Sequence, residues 1–184
     1  MILITGGARS GKSGLAERMA ARHGERVLYI ATSLVTDDEM ADRIAHHRAS
    51  RPATWSTHEG FTGLGEVLRT QGAQHDAIML ECITTLMTNL MFAHAGDTPP
   101  EQMDFAAIET YIEQQIDALM QAAADCPAPL YLVTNEVGFG IVPEHLLARR
   151  FRDIAGRINQ RLAANATEVW LVISGIDMKI KGVS

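Results

Sequence analysis

The apolar residues of the chain fall into short continuous runs that alternate with longer segments of helical character. The runs predict strands at Met1–Thr5, Val27–Ala31, Trp55–Glu59, Ala77–Leu80, Pro129–Thr134 and Glu168–Ser174, the last strand of the chain. The segments between them predict helices at 12–23, 37–49, 61–69, 82–94, 103–124 and 143–165. Strands that are apolar throughout, rather than at alternate positions, are typical of parallel sheets buried on both faces. The pattern therefore predicts one α/β domain over residues 1–184, with a mostly parallel sheet covered by helices on both faces.

A phosphate-binding pattern, GxxxxGK[ST], lies between the first predicted strand and the first predicted helix. Its residues are Gly6, Gly7, Ala8, Arg9, Ser10, Gly11, Lys12 and Ser13. The glycines let the loop turn so that its N–H groups face phosphate oxygens, and the helix adds its positive N-terminal end. Lys12 is expected to neutralise the β- and γ-phosphates, and Ser13 to ligate Mg²⁺. The loop predicts a P-loop fold of the RecA-like kind that binds ATP or GTP.

A second metal ligand is expected at the end of another strand. Glu81 directly follows the apolar run Ala77–Leu80. A carboxylate at this place would hold Mg²⁺ together with Ser13, often through water. The alternative interpretation is a solvated acid that only ends the strand.

Two adjacent histidines, His46 and His47, lie near the end of the predicted 37–49 helix. Helical geometry alone favours a half-buried packing role for His47 and a solvated surface position for His46. The chemical interpretation is nucleophilic, because a neutral imidazole can attack phosphorus and form a phosphoramidate. Arg48 and Arg51 would then stabilise the phosphate oxygens.

Composition limits the classes of protein to which the chain can belong. Hydrophobic residues make up 47%, charged residues 21%, and the formal net charge is −6. These values indicate a globular protein and disfavour binding to nucleic acid. The two cysteines are too few for a disulfide framework or a zinc site. We expect neither a signal peptide nor a membrane span of ~18 apolar residues, and hence a cytoplasmic protein.

Six segments, taken in order, resemble one family over nearly the whole chain. They are GGARSGKS at Gly6–Ser13, YIATS at Tyr29–Ser33, DDEMADRIAHHR at Asp37–Arg48, ECITTLMTNL at Glu81–Leu90, TNEVGFGIVPE at Thr134–Glu144 and FRDIAGRINQRLA at Phe151–Ala163. Together they resemble the bifunctional adenosylcobinamide kinase/adenosylcobinamide-phosphate guanylyltransferase of cobalamin biosynthesis. The segment NEVGFGIVP and the paired histidines are more specific than the phosphate loop alone.

The resemblance implies two reactions. The first phosphorylates adenosylcobinamide with ATP or GTP, and the second transfers GMP from GTP to that phosphate through a GMP-histidine intermediate. It assigns the histidine to His46, with His47 as the second choice. It also implies nucleotide contacts for Thr32, Ser33, His47, Arg48, Glu59 and Glu81, although many members carry Asp where this chain has Glu81. A homo-oligomer, specifically a trimer, is implied as well.

Three further residues in the matching segments have no assigned role. Glu136, Arg149 and Arg157 would serve equally well as helix caps and surface ion pairs or as substrate contacts. Two other functions also stay open on the residues alone: a P-loop kinase for another small metabolite, and a RecA-like ATPase module. The corrinoid itself is supplied only by the resemblance.

Overall fold

Seven strands form a single sheet in the part of the chain that the structure, a computed structural model, describes: residues 1–33 and 52–182. The strands are β1 (Ile2–Gly6), β2 (Val27–Ala31), β3 (Ser56–Glu59), β4 (Ala77–Glu81), β5 (Leu130–Asn135), β6 (Glu168–Ile173) and β7 (Ile176–Lys181). Their order across the sheet is β3-β2-β4-β5-β1-β6-β7. All neighbouring pairs are parallel except β6 and β7. The mostly parallel sheet predicted from the sequence is confirmed.

The parallel register brings the carboxyl ends of the first five strands to the same side of the sheet, which we call the carboxyl edge. Gly6 lies beside Asn135, and Ala31 lies between Glu59 and Glu81. Ligands of open α/β sheets bind outside this edge, because the loops that leave the strands meet there. The strand ends named in the sequence as candidate binding positions therefore share one side of the molecule.

Helices cover both faces of the sheet. They are α1 (Lys12–Ala21), α2 (Leu64–Gln71), α3 (Ile83–Ala95), α4 (Phe105–Asp125) and α5 (Leu146–Asn165), with short 3₁₀ turns at Gly72–Gln74 and Pro100–Gln102. Alternate residues of β2 belong to separate apolar clusters on the two faces of the sheet. Leu28 and Ile30 are in the cluster that includes residues of α2, α3, α4 and α5, whereas Val27 and Tyr29 are in the cluster that includes residues of α1. The predicted three-layer arrangement is confirmed.

The two longest helices, α4 and α5, have buried apolar stripes and are joined at the surface by ion pairs. Asp104 caps α4 by accepting hydrogen bonds from the N–H groups of Ala106 and Ala107, at 3.1 and 3.0 Å. The buried stripe of α4 is Ile108, Ile112, Ile116, Leu119 and Ala122, close to the predicted periodicity.

No helix within residues 1–33 and 52–182 combines the length and apolar character that a membrane crossing needs.

Two details of the predicted elements are wrong. The strand at 168–174 is not the last, because β7 follows it as an antiparallel edge strand. All six residues of β7 are exposed, so the apolar run typical of buried strands is missing. The final helix begins at Leu146 rather than Pro143, since the chain is extended at the capping residue His145.

Two helical glycines give a test of the packing between α2 and α4. A Cβ at Gly65 would lie 2.7 Å from the carbonyl oxygen of Ala118, whereas a Cβ at Gly156 of α5 would meet nothing within 4 Å. We expect Gly65→Ala to lower the free energy of unfolding by about 1–3 kcal/mol through overpacking. The control Gly156→Ala should raise it by about 0.5–1 kcal/mol, because alanine favours helix. Denaturant titration of both variants measures the difference, and equal changes would contradict the close packing.

Candidate active site

The phosphate loop joins β1 to α1 in the setting that its motif requires. Gly6 ends β1, and a Cβ there would lie 2.3 Å from the carbonyl oxygen of Val172. Gly11 adopts a left-handed conformation, with φ 98°, directly before the first residue of α1. Gly7, Ala8 and Arg9 are exposed. The loop thus presents its backbone to solvent at the amino end of a helix, where N–H groups attract anions.

The turn between β6 and β7 supports the phosphate loop from the side. Ser174 and Gly175 have φ values of 53° and 81°, and positive φ at both central residues is the mark of a type I′ hairpin turn. The N–H of Gly175 donates a hydrogen bond to the carbonyl oxygen of Ser10 at 2.8 Å. Ser10 itself is buried. The edge hairpin that the sequence did not predict therefore helps to fix the loop.

Lys12 carries its charge from the first turn of α1 back over the loop. Its ammonium donates a hydrogen bond to the carbonyl oxygen of Gly7 at 3.1 Å, and the residue is only 8% exposed. Burial lowers the pKa of Lys12, while the nearby carboxylate of Glu81 acts in the opposite direction. A cation held at low exposure beside the loop is suited to bind phosphate oxygens strongly.

Ser13 and Glu81 are in direct contact, although they come from distant parts of the chain. The hydroxyl of Ser13 donates to Oε1 of Glu81. The second carboxylate oxygen, Oε2, accepts a hydrogen bond from the hydroxyl of Tyr29 at 2.7 Å. A serine hydroxyl and a carboxylate oxygen are the hard oxygen donors that Mg²⁺ prefers. The two residues predicted to hold the metal are thus brought together.

The donor set fits a metal that is shared with a nucleotide. Among residues 1–33 and 52–182 there is no group of three or more His, Cys, Asp or Glu side chains that could hold a metal ion. Mg²⁺ is often held by one or two protein oxygens, with phosphates and water completing its coordination. Ser13 and Glu81 beside a phosphate loop match that arrangement.

Thr32 ties the end of β2 to the end of β4. Its hydroxyl donates to the carbonyl oxygen of Cys82 at 2.8 Å and accepts from the N–H of Cys82 at 2.9 Å. The side-chain amide of Asn89 donates to the carbonyl oxygen of Thr32 at 2.6 Å. Thr32 is 1% exposed, so its clearest role is to fix the strand ends beside Glu81.

Ser33 and Glu59 lie at the carboxyl edge of the sheet, as the phosphate loop does, but they follow or end strands that are not next to β1. Ser33 follows β2 and is half-buried, and Glu59 ends β3 and is exposed. Both β4 and β5 stand between β2 and β1 in the sheet. Nucleotide contacts by Thr32, Ser33 and Glu59 stay predictions.

The three residues without an assigned role all have structural partners. Glu136 accepts a hydrogen bond from the N–H of Gly138, and Arg149 donates to the carbonyl oxygen of Pro143 at 3.0 Å. Arg157 forms a two-point ion pair with Glu109, which joins α5 to α4. These contacts favour the structural interpretation of Glu136, Arg149 and Arg157.

The histidine pair lies outside the described residues. His46, His47, Arg48 and Arg51 fall between 33 and 52, and their roles rest on the sequence alone. The described part of the site therefore covers the phosphate loop, Ser13, Glu81 and the strand ends.

Two residues of the site were missed by the sequence reasoning. Tyr29 holds Glu81, and Asn135 ends β5 beside Gly6 of the phosphate loop. A polar aromatic residue within the otherwise aliphatic strand VLYIA was a signal for the first. A polar residue directly after the run LYLVT was a signal for the second.

A sequence model of the cobinamide kinase/cobinamide phosphate guanyltransferase family matches residues 2–180. The chain belongs to this family. It is thus a kinase and a guanylyltransferase in cobinamide processing, rather than a kinase for another metabolite or an ATPase module.

Three curated relatives match this chain almost from end to end. The bifunctional adenosylcobalamin biosynthesis protein CobU of Salmonella typhimurium is 59% identical over 181 residues, which cover 98% of this chain and 99% of that protein. The Escherichia coli protein of the same name is 55% identical with the same coverage. The protein CobP of Pseudomonas aeruginosa is 39% identical, and the match covers 98% of this chain and 96% of that protein.

A solved structure from Pyrococcus horikoshii OT3 shares the fold of this chain. Its TM-score is 0.53 over 100% of this chain and 87% of that chain, at 10% identity. This likeness bears on the fold alone, and it agrees with the α/β architecture.

Glu81→Gln tests whether the carboxylate is needed for its charge. The amide has nearly the same shape, and the hydroxyl groups of Ser13 and Tyr29 can both donate and accept. We therefore expect a change of less than about 1 kcal/mol in the free energy of unfolding. The Mg²⁺ concentration for half-maximal turnover should rise by at least ~10-fold. Magnesium titrations beside wild type measure this, and superimposable curves would reduce Glu81 to a strand terminus.

Proposed function

We propose that this protein phosphorylates the hydroxyl of adenosylcobinamide with ATP or GTP and then transfers GMP from GTP to the new phosphate. The products are adenosylcobinamide-GDP and pyrophosphate. The observation that carries the proposal is the contact between Ser13 and Glu81 beside Lys12, within a chain of the cobinamide kinase family. The names of the relatives, which refer to adenosylcobalamin biosynthesis, support the adenosyl form of the substrate.

In the kinase step the substrate hydroxyl oxygen bonds to the γ-phosphorus. The bond from the γ-phosphorus to the β–γ bridging oxygen breaks, the nucleoside diphosphate leaves, and the hydroxyl proton is released. Phosphoryl transfer of this kind needs positioning and charge stabilisation more than covalent chemistry. The loop N–H groups and the ammonium of Lys12 supply both from the phosphate side.

In the guanylyl step the attack moves to the α-phosphorus. A nitrogen of His46 would bond to the α-phosphorus of GTP, and pyrophosphate would leave. An oxygen of adenosylcobinamide phosphate would then attack the same phosphorus and release His46. Arg48 and His47 would contact the nucleotide during this transfer, as would Thr32, Ser33 and Glu59. The resemblance to the family supports these assignments.

Mg²⁺ is the metal we propose for both steps, with GTP or ATP as its partner. Ser13 and Glu81 would hold it, and the ion would neutralise charge on the polyphosphate. The contact between these two oxygen donors supports the choice.

We also propose that residues 1–184 act as one domain, because the seven described strands share one sheet. The resemblance supports a homo-oligomer, specifically a trimer. The mildly acidic net charge supports a location in the cytoplasm. The net charge of −6 supports the absence of nucleic-acid partners.

Labelling with α-labelled GTP tests the covalent step. Wild-type protein incubated with this nucleotide and Mg²⁺ should retain label that is lost in acid and kept in base, as expected of a phosphoramidate. His46→Ala should take up no label and lose guanylyl transfer. It should keep some kinase activity, because attack by the substrate hydroxyl needs no covalent histidine.

His47→Ala is the matched control for His46→Ala. It should still take up label, with a loss of stability of ~1–3 kcal/mol if its side chain packs as helical geometry suggests. Labelling of His46→Ala but not of His47→Ala would assign the nucleophile to His47. Labelling of both at the wild-type level would contradict the covalent mechanism.

A further inference from the structure

Tyr29 is the buried partner of the metal-site carboxylate. It lies on β2 within the apolar cluster that faces α1, and it is 3% exposed. Its phenol hydroxyl reaches Oε2 of Glu81 at 2.7 Å. A phenol that donates to an ionised carboxylate makes one of the stronger hydrogen bonds available in a protein.

The two oxygens of Glu81 have different partners. Oε1 accepts from Ser13 on the phosphate-loop side, and Oε2 accepts from Tyr29 on the side of β2. Glutamate has three side-chain torsions, one more than aspartate, so a single contact leaves its carboxylate free to rotate. With Tyr29 on Oε2, the orientation that keeps Oε1 beside Ser13 is favoured.

We propose that Tyr29 is a positioning residue for Mg²⁺ binding, acting through Glu81 and not by touching metal or substrate. The inference rests on the proposed function, because it takes Ser13 and Glu81 as the residues that hold Mg²⁺ beside the nucleotide. Groups that orient a metal-binding carboxylate commonly contribute 10- to 100-fold to metal affinity. The hydroxyl of Tyr29 therefore sets metal affinity, while its ring fills the core.

Tyr131 provides a matched control on the same face of the sheet. It is also 3% exposed and belongs to the same apolar cluster. Met79 of β4 lies between the two tyrosines, in register with both. The hydroxyl of Tyr131, however, is hydrogen-bonded to Nε2 of His23 at 2.6 Å and not to Glu81. Removing either hydroxyl changes the core similarly, but only one removal affects Glu81.

The test is calorimetric titration of Mg²⁺ into the protein bound to a β,γ-imido analogue of GTP. Tyr29→Phe should raise the metal dissociation constant about 10-fold. It should leave the affinity for the analogue without metal within about twofold of wild type, because a phenylalanine ring keeps the packing. Tyr131→Phe should leave both constants within about twofold. In a Glu81→Gln background, Tyr29→Phe should have little further effect on the metal constant, since the two changes act through one group.

The outcomes separate this inference from the proposed function. A metal constant for Tyr29→Phe within twofold of Tyr131→Phe would overturn the inference, as would an undiminished effect in the Glu81→Gln background. Failure of the proposed function would appear in wild type instead, as an absence of Mg²⁺ binding to the nucleotide complex.

A second measurement takes its deciding signal from protein that retains Tyr29. The chain has three tyrosines, and fluorotyrosine labelling of the Tyr111→Phe/Tyr131→Phe protein leaves one fluorine signal, that of Tyr29. This signal should shift when Mg²⁺ is added to the nucleotide complex. The signal of Tyr131, isolated in the same way in Tyr29→Phe/Tyr111→Phe, should not. A stationary Tyr29 signal under saturating Mg²⁺ would overturn the inference.

Discussion

The contact between Ser13 and Glu81 has to bridge an intervening strand. Ser13 follows β1 and Glu81 ends β4, and β5 lies between these strands in the sheet. The gap is closed because α1 leaves the phosphate loop and runs over β5 towards β4, burying Leu15, Ala16 and Ala20 on that face. The serine on the first turn of this helix is thereby carried to the carboxylate. The proposed metal site depends on that crossing more than on any single side chain.

Several features of the structure serve to keep the two ends of this contact still. The phosphate loop is held by the hairpin turn at Gly175. The strand end that carries Glu81 is held by the hydrogen bonds of Thr32 to the backbone of Cys82. Fixed donors need little reorganisation when charge develops on a phosphoryl group, which is how electrostatic stabilisation becomes catalytic. These contacts fit our proposal that the two reactions share one phosphate site.

The sequence predicted the parts of the fold that have strong local signals. The apolar runs and the loop motif located β1, β2, β4, β5 and α1, and the spacing of Ile108, Ile112 and Ile116 located α4. The exposed strand β7 has no buried face, so no apolar run could reveal it. The hydrogen bond of Tyr29 to Glu81 joins residues 52 positions apart, and only the strand register brings them together. The structural partners of Arg149 and Arg157 likewise depend on tertiary packing that local patterns do not contain.

The measurement that tests the account most directly is the effect of Lys12→Ala on both activities of one protein preparation. Lys12 is the ammonium that lies over the phosphate loop, and both reactions are assigned to that loop. The account predicts that phosphorylation of cobinamide and attachment of GMP from GTP both fall by about 10²-fold or more. Denaturant unfolding of the same preparation checks that the variant is folded. A folded Lys12→Ala protein that retained either activity near the wild-type rate would contradict a shared phosphate site.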